Sequence, residues 1–264
     1  MNVNVGGIVP LSTVDWHGRS SIVIFLNGCP LRCGYCHNYH LLTQSRPTEL
    51  SLIKQRIMES KPFISAVVFL GGEPLMQPEA VEEIARFAKS QNLRVGIHTN
   101  GYYPDAVFSL LDQNLADKFF VDIKAPFTAA DYSVVSGFSD SDSSDPNLSD
   151  KKGSDLIENI QKTIRLIDLS PAELEIKTTV FPVKVGTKDD IFKISEWMNT
   201  HISQKQKTTY ILQQGKGDNS NDPIFKEMTF LSPEEMNVLA EIAVKNIPDI
   251  PIFTQTDEEG RVQK

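Results

Sequence analysis

All three cysteines of the chain fall in one short stretch, Gly28-Cys29-Pro30-Leu31-Arg32-Cys33-Gly34-Tyr35-Cys36-His37-Asn38, at the spacing C-x3-C-x2-C. Three thiolates on one loop can hold three irons of a [4Fe–4S] cube, a cluster whose ligands are usually four cysteines. The fourth iron would then receive no thiolate from anywhere in the chain and would be open to a substrate or cofactor. Two readings compete with this one. His37 or His40 would complete a Cys3His tetrahedron around zinc. Alternatively, the cysteines bind nothing and pack as small apolar residues, although such cysteines are more often scattered than gathered. A disulfide framework does not suit an odd number of cysteines in a chain of 264 residues.

Four other segments carry residues able to do chemistry. Gly71-Gly72-Glu73-Pro74 lets a backbone approach a ligand closely and sets an acid beside it, an arrangement suited to an amino group; a tight turn is the plainer reading. His98-Thr99-Asn100-Gly101 offers polar side chains at a turn. Asp122 and Lys124 stand two apart, so an extended chain points both to one face, where they need a polar cavity or each other. Lys177 shares one face of an alternating segment with Glu175 and Thr179, and Gln213-Gln214 ends another.

The elements that position these segments alternate. Apolar runs rich in β-branched and aromatic residues predict strands over 22–26, 66–70, 93–97, 117–124, 174–180 and 208–213. Helical spacing of apolar residues predicts helices over 48–60, 78–91, 104–112, 156–167 and 189–199. A last helix starts at Ser232, with serine at the N-cap, Pro233 at N1 and two acids behind, and runs to about Asn246. Residues 3–20 read as a strand or hairpin entering the domain, with Gly18 supplying a turn, and 250–253 as an edge strand. Strand–helix alternation implies right-handed crossovers and a parallel sheet. Six units rather than eight make an incomplete barrel. Cys29, Gly72, Asn100, Lys124, Lys177 and Gln213 all fall at or just past strand ends, which a parallel sheet gathers on one rim.

The cysteine loop, with Tyr35 before its last cysteine and His37-Asn38 after it, resembles the radical S-adenosylmethionine (SAM) family. Within that family, the Cys-x-Tyr-Cys-His-Asn form is similar to the activating enzymes of glycyl-radical enzymes, above all those of anaerobic ribonucleoside-triphosphate reductase in their longer form. Gly71-Gly72-Glu73-Pro74, Asp122-Ile123-Lys124-Ala125-Pro126 and Leu212-Gln213-Gln214 extend the likeness over roughly residues 5–214. The sequence departs from the relatives at His98, where they carry aspartate, and at Lys177, where arginine is common.

The resemblance implies an α/β fold, an incomplete (β/α)6 TIM-like barrel, formed by a single domain over 1–264. It implies a [4Fe–4S] cluster on Cys29, Cys33 and Cys36. It also implies SAM bound by the Tyr35, Cys36 and His37 backbone, by Gly71, Gly72 and Glu73, and by Thr99, Asn100, Asp122, Lys124, Lys177 and Gln213. The activity implied is reductive cleavage of SAM and removal of a hydrogen from a backbone glycine of a partner. That partner is a glycyl-radical enzyme, with anaerobic ribonucleotide reductase favoured, and the electron comes from a donor such as flavodoxin or ferredoxin.

The totals bound the rest. A net charge of -8 argues against a nucleic-acid partner, and no apolar run reaches the length needed to span a bilayer. The first residues lack the basic start and apolar core of an export signal, and reduced cysteines suit the cytoplasm. Residues 136–155, rich in serine and aspartate, are expected as a low-complexity surface insertion, and 255–264 as a mobile tail.

Overall fold

Ten strands form one sheet in the order β10-β9-β8-β7-β6-β5-β4-β2-β1-β3 in a computed structural model, which describes residues 1–137, 153–182, 185–218, 220 and 222–264. The chain enters through β1 (Asn2–Ser12), which runs antiparallel to β2 (Ser21–Leu26) and, at its start, to the short β3 (Pro47–Glu49). Then α1 (Leu50–Ser60) leads to β4 (Ala66–Gly71), α2 (Pro78–Ser90) to β5 (Arg94–Thr99), and α3 (Pro104–Asp112) to β6 (Lys118–Asp122). Past α4 (Ala129–Ser136) and α5 (Gly153–Asp168) comes β7 (Glu173–Val180). Next, α6 (Lys188–His201) leads to β8 (Thr208–Gln214). The chain finishes through α7 (Pro223–Lys226), α8 (Pro233–Asn246), β9 (Ile252–Thr256) and β10 (Gly260–Gln263).

The six expected strands are β2, β4, β5, β6, β7 and β8, paired in parallel in that order. A seventh parallel strand, β9, follows β8, and its outer side is covered by β10, so 250–253 is not an edge. Residues 255–264 do not form the expected tail: they complete β9 and turn at Gly260, whose φ is +69°, into β10. Backbone pairing holds them, together with a long-range ion pair described below. The strands at the two ends of the order, β10 and β3, do not pair with each other, so the sheet is open. The expected insertion at 136–155 lies mostly outside the described residues. Ser136 instead closes α4, and α5 has begun by Gly153.

Side chains alternate across the sheet as the strand period requires. Ile22, Ile24, Val67, Phe69, Val95, Ile97, Phe119 and Val121 are buried under the helices. Helix α2 meets them with Val81, Ile84, Ala85 and Ala88, the apolar stripe expected from its spacing. The opposite, concave face carries a second cluster of Trp16, Val23, Ala66, Val68 and Phe120. Trp16 belongs to the segment expected to turn at Gly18. Gly18 does turn the chain at φ +83°, but the indole folds back into the concave face, edge-on to Phe120 at 5.9 Å between centroids.

Below the strand ends this face is ionic. Glu175, 1% exposed, accepts from Lys118 Nζ at 2.9 Å and Arg261 Nη1 at 3.2 Å, with Lys177 Nζ 3.7 Å away. Burial works against the charged carboxylate, but the three cations outweigh it and hold Glu175 down at about 2, against an ordinary value of 4.5. A depressed folded-state value means the stabilisation is present above pH 4.5 and lost as pH falls toward 2, a contribution on the order of 3 kcal/mol. Urea unfolding at pH 6 and pH 3 checks this: wild type is expected to lose more stability between the two than Glu175→Gln. Equal losses would contradict it.

Candidate active site

Strand β2 ends at Leu26 and passes through Gly28, at φ +93°, straight into the cysteine loop. The thiols of Cys29, Cys33 and Cys36 are free, half-buried, and line one cavity of about 370 Å³ at the C-terminal rim of the parallel strands. Burial raises all three thiols above their ordinary range, Cys33 to about 11. Without a metal they therefore stay protonated, and a ligand has to displace those protons.

The loop is held from several sides. Arg32 donates its backbone N–H to the carbonyl of Ser136 at 2.8 Å, and the Ser220 hydroxyl donates to the carbonyl of Gly34. The Asn38 amide donates to the carbonyl of Gly71 at 3.2 Å. The Tyr35 ring packs between Phe181 and Phe225 at 4.6 and 5.7 Å.

The Gly-Gly turn runs directly against this loop. Gly72 N–H donates to Leu26 and Glu73 N–H to Gly28, at 2.9 and 2.7 Å. Sequence reasoning set the Glu73 carboxylate facing a ligand's amino group, but the fold turns it inward. It is fully buried and accepts from Leu75 N–H at 3.0 Å, the Thr99 hydroxyl at 2.9 Å and Asn100 N–H at 2.7 Å. Burial outweighs these three donors and pushes its carboxyl up to about 7. Glu73 thus ties the turn after β4 to the turn after β5. Every other site residue expected from sequence lines the cavity, including Gly71, Gly72, Thr99 and Gln213.

The cavity wall opposite the cysteines is charged. Lys124 Nζ pairs with Asp122 at 2.8 Å and lies 5.8 Å from the centre of the Tyr35 ring. Burial opposes the ammonium, but Asp122, Tyr35 and Cys33 more than offset it, and Lys124 is held well above the ordinary lysine range. The two side chains do pair with each other, Lys124 buried and Asp122 partly exposed, and both line the cavity. Lys177 reaches the same cavity over the Phe120 ring, 5.3 Å from its centroid. His98 stacks on Phe120 at 4.0 Å and donates Nε2–H to the carbonyl of Asp15 at 3.0 Å. Burial, aided by Lys177, pushes it down to about 3, so the ring is neutral near pH 7. Sequence reasoning missed the residues that pack this site from a distance: Asp15, Trp16, Phe181, Ser220 and Phe225. Their contacts join segments too far apart for any local spacing to reveal.

The donor set decides what can bind. Three soft thiolates suit an iron–sulfur cluster or zinc. His37 lines the same cavity but is engaged elsewhere, its Nε2 bonded to the carbonyl of Lys216 at 3.0 Å. His40 is exposed and does not line the cavity. Among the described residues no three His, Cys, Asp or Glu side chains converge on a single ion. Three thiols spread around one cavity fit a cluster. A larger cavity of about 550 Å³, lined by residues of α2, α3 and α5, is bordered by no thiol.

The model of the radical SAM superfamily matches residues 23–132, the segment from β2, which leads into the cysteine loop, to α4. A provisionally named glycyl-radical enzyme activating enzyme of Methanocaldococcus jannaschii is 31% identical over 256 residues, 96% of this chain and 97% of its own length. The chain belongs to the radical SAM superfamily. A pyruvate formate-lyase-activating enzyme of Clostridium pasteurianum is 34% identical over 104 residues, 37% of this chain and 43% of that one. A radical SAM methyltransferase structure from Sphaerobacter thermophilus superposes with a TM-score of 0.63 at 14% identity, covering 91% of this chain and 67% of that one. At that identity the likeness shows the fold alone, an α/β radical SAM domain. As a radical SAM enzyme the chain uses SAM and an iron–sulfur cluster. No helix among the described residues is long and apolar enough to cross a membrane.

Proposed function

We propose that this radical SAM enzyme activates a glycyl-radical enzyme by cleaving SAM at a [4Fe–4S] cluster and taking a hydrogen from a backbone glycine of its partner. The observation that carries the reading is the likeness to the M. jannaschii protein over nearly the whole of both chains. The open sheet supports it, because a protein segment has to enter where a closed barrel would admit only a small molecule.

When bound, the cluster would supply one electron for reductive cleavage of the SAM C–S bond, chemistry that releases methionine and leaves 5′-deoxyadenosine carrying the glycine's hydrogen atom. The protein supplies binding, orientation and exclusion of competing reactions. Cys29, Cys33 and Cys36 would hold three irons and leave the fourth to the amino and carboxylate groups of SAM. Gly71 and Gly72 leave room for that amino group, and Lys124 and Lys177 offer ammonium groups toward the carboxylate. The Tyr35–His37 backbone would meet the adenine, with Thr99, Asn100, Asp122 and Gln213 around the rest. The chemistry requires no general acid or base.

Asp122-Ile123-Lys124-Ala125-Pro126 and Leu212-Gln213-Gln214 favour anaerobic ribonucleoside-triphosphate reductase as the partner, with a low-potential flavodoxin or ferredoxin as donor. The test is anaerobic incubation of the reconstituted protein with reductant, SAM and each candidate partner. The expected result is a glycyl radical doublet in the electron paramagnetic resonance spectrum of one partner, with 5′-deoxyadenosine formed in proportion. Cleavage of SAM without a radical on any glycyl-radical enzyme would favour a small-molecule substrate instead.

A further inference from the structure

The Asn100 side chain also faces the cysteine loop. Its Nδ2 lies 3.7 Å from Cys29 Sγ, within hydrogen-bond reach for sulfur. The amide cannot turn over freely, because Oδ1 accepts the backbone N–H of Tyr102 at 3.0 Å. That leaves the NH2 end to face the sulfur. The residue's own backbone N–H is fixed by Glu73 at 2.7 Å, and Glu73 is in turn held by Thr99 and Leu75. Asn100 is 6% exposed, so little water competes for the bond.

We infer that Asn100 sets the reduction potential of the cluster by donating an N–H···S hydrogen bond to the Cys29 sulfur, with Glu73 as the positioning residue that aims it. A donor at a ligating thiolate withdraws charge from the sulfur and favours the reduced, more negative cluster; hydrogen bonds to the sulfurs and local burial are among the protein's levers on potential. The inference rests on the reading that Cys29, Cys33 and Cys36 carry a cluster.

The experiment is a dye-mediated redox titration, followed by electron paramagnetic resonance, of anaerobically reconstituted wild type and Asn100→Leu. Leucine keeps the bulk and removes the donor without adding charge. The expected result is a cluster that is harder to reduce. At a fixed applied potential, the reduced-to-oxidised ratio should fall about tenfold, equivalent to about 59 mV for a one-electron couple. A loaded variant with the wild-type ratio overturns the inference and leaves the cluster reading intact. Wild type that takes up no cluster overturns both.

Should Asn100→Leu fail to load, electron–nuclear double resonance of reduced wild type carrying 15N-asparagine decides the matter. Asn27 and Asn38 also flank the loop, so the same spectrum of labelled Asn100→Asp serves as the reference. A 15N coupling lost in that variant supports the bond, and a spectrum without such a component overturns it.

Discussion

Cys33→Ala is expected to fold but to retain no SAM-responsive cluster, and its rate of SAM cleavage should fall by more than about a hundredfold, the loss associated with disturbing even the outer shell of a metal site. Cys33 sits in the middle of the C-x3-C-x2-C loop, and no other cysteine exists to replace it. The residue is partly exposed and lines the cavity, so truncation opens a gap at the cavity wall and not a hole in the core. The loop keeps its other ties, to Ser136, Ser220 and Gly71. Circular dichroism should therefore match wild type while iron and sulfide content and the paramagnetic signal collapse. His37→Ala is the contrasting variant. Its imidazole is bound to the Lys216 carbonyl, so the metal content should be unchanged. A Cys33→Ala protein that binds its full iron and responds to SAM would sink the three-cysteine site. Zinc lost from His37→Ala would return histidine to the ligand set.

Much of this site was legible because its parts are local and its convergence is topological. Each candidate segment sits in the C-terminal half of a strand or within three residues of its end, and parallel strands bring such ends together whatever their separation in sequence. Cys29, Gly72, Asn100, Asp122, Lys177 and Gln213 line one cavity for that reason. What failed was side-chain direction and distant pairing. Glu73 follows two glycines and reads as a ligand-facing acid, but three donors inside the protein claim it, two of them from the next strand's turn. The C-terminal residues read as a charged tail, yet Arg261 reaches back to Glu175, 86 positions earlier, and stacks on Phe253 with 4.4 Å to the ring centroid. A charge in a polar stretch reads as solvated until the opposite charge on the concave face is known. Nothing near Trp16 in sequence marks it as core for the same reason: the space it fills, over Phe120 and against Gly96, is made by strands far downstream.

The backbone approach between the Gly-Gly turn and the cysteine loop leads to a large expected stability effect from a single methyl group. A Cβ at Gly72 would lie 2.1 Å from the carbonyl oxygen of Gly28 and 2.8 Å from its carbon. Both are backbone atoms, so no rotamer change relieves the clash, and the Glu73 N–H···O bond to that same carbonyl would have to break. Gly72→Ala should therefore destabilise the protein by about 4 kcal/mol, the upper range for single substitutions, and displace Gly28 together with the adjacent Cys29. The internal control is Gly7→Ala in β1, where an added Cβ meets nothing within 4 Å and the backbone is not left-handed. That change should be neutral or stabilise by up to about 1 kcal/mol, through reduced freedom of the unfolded chain. Urea unfolding of the metal-free proteins measures the stability difference, and iron content after reconstitution measures the displacement of Cys29. If Gly72→Ala unfolds at the urea concentration of Gly7→Ala and loads its cluster normally, the two segments are not packed backbone to backbone. The glycines would then serve only to admit the ligand. If it unfolds early and loads poorly, they are required for a second reason, because the cysteine loop rests on the turn before any cofactor arrives.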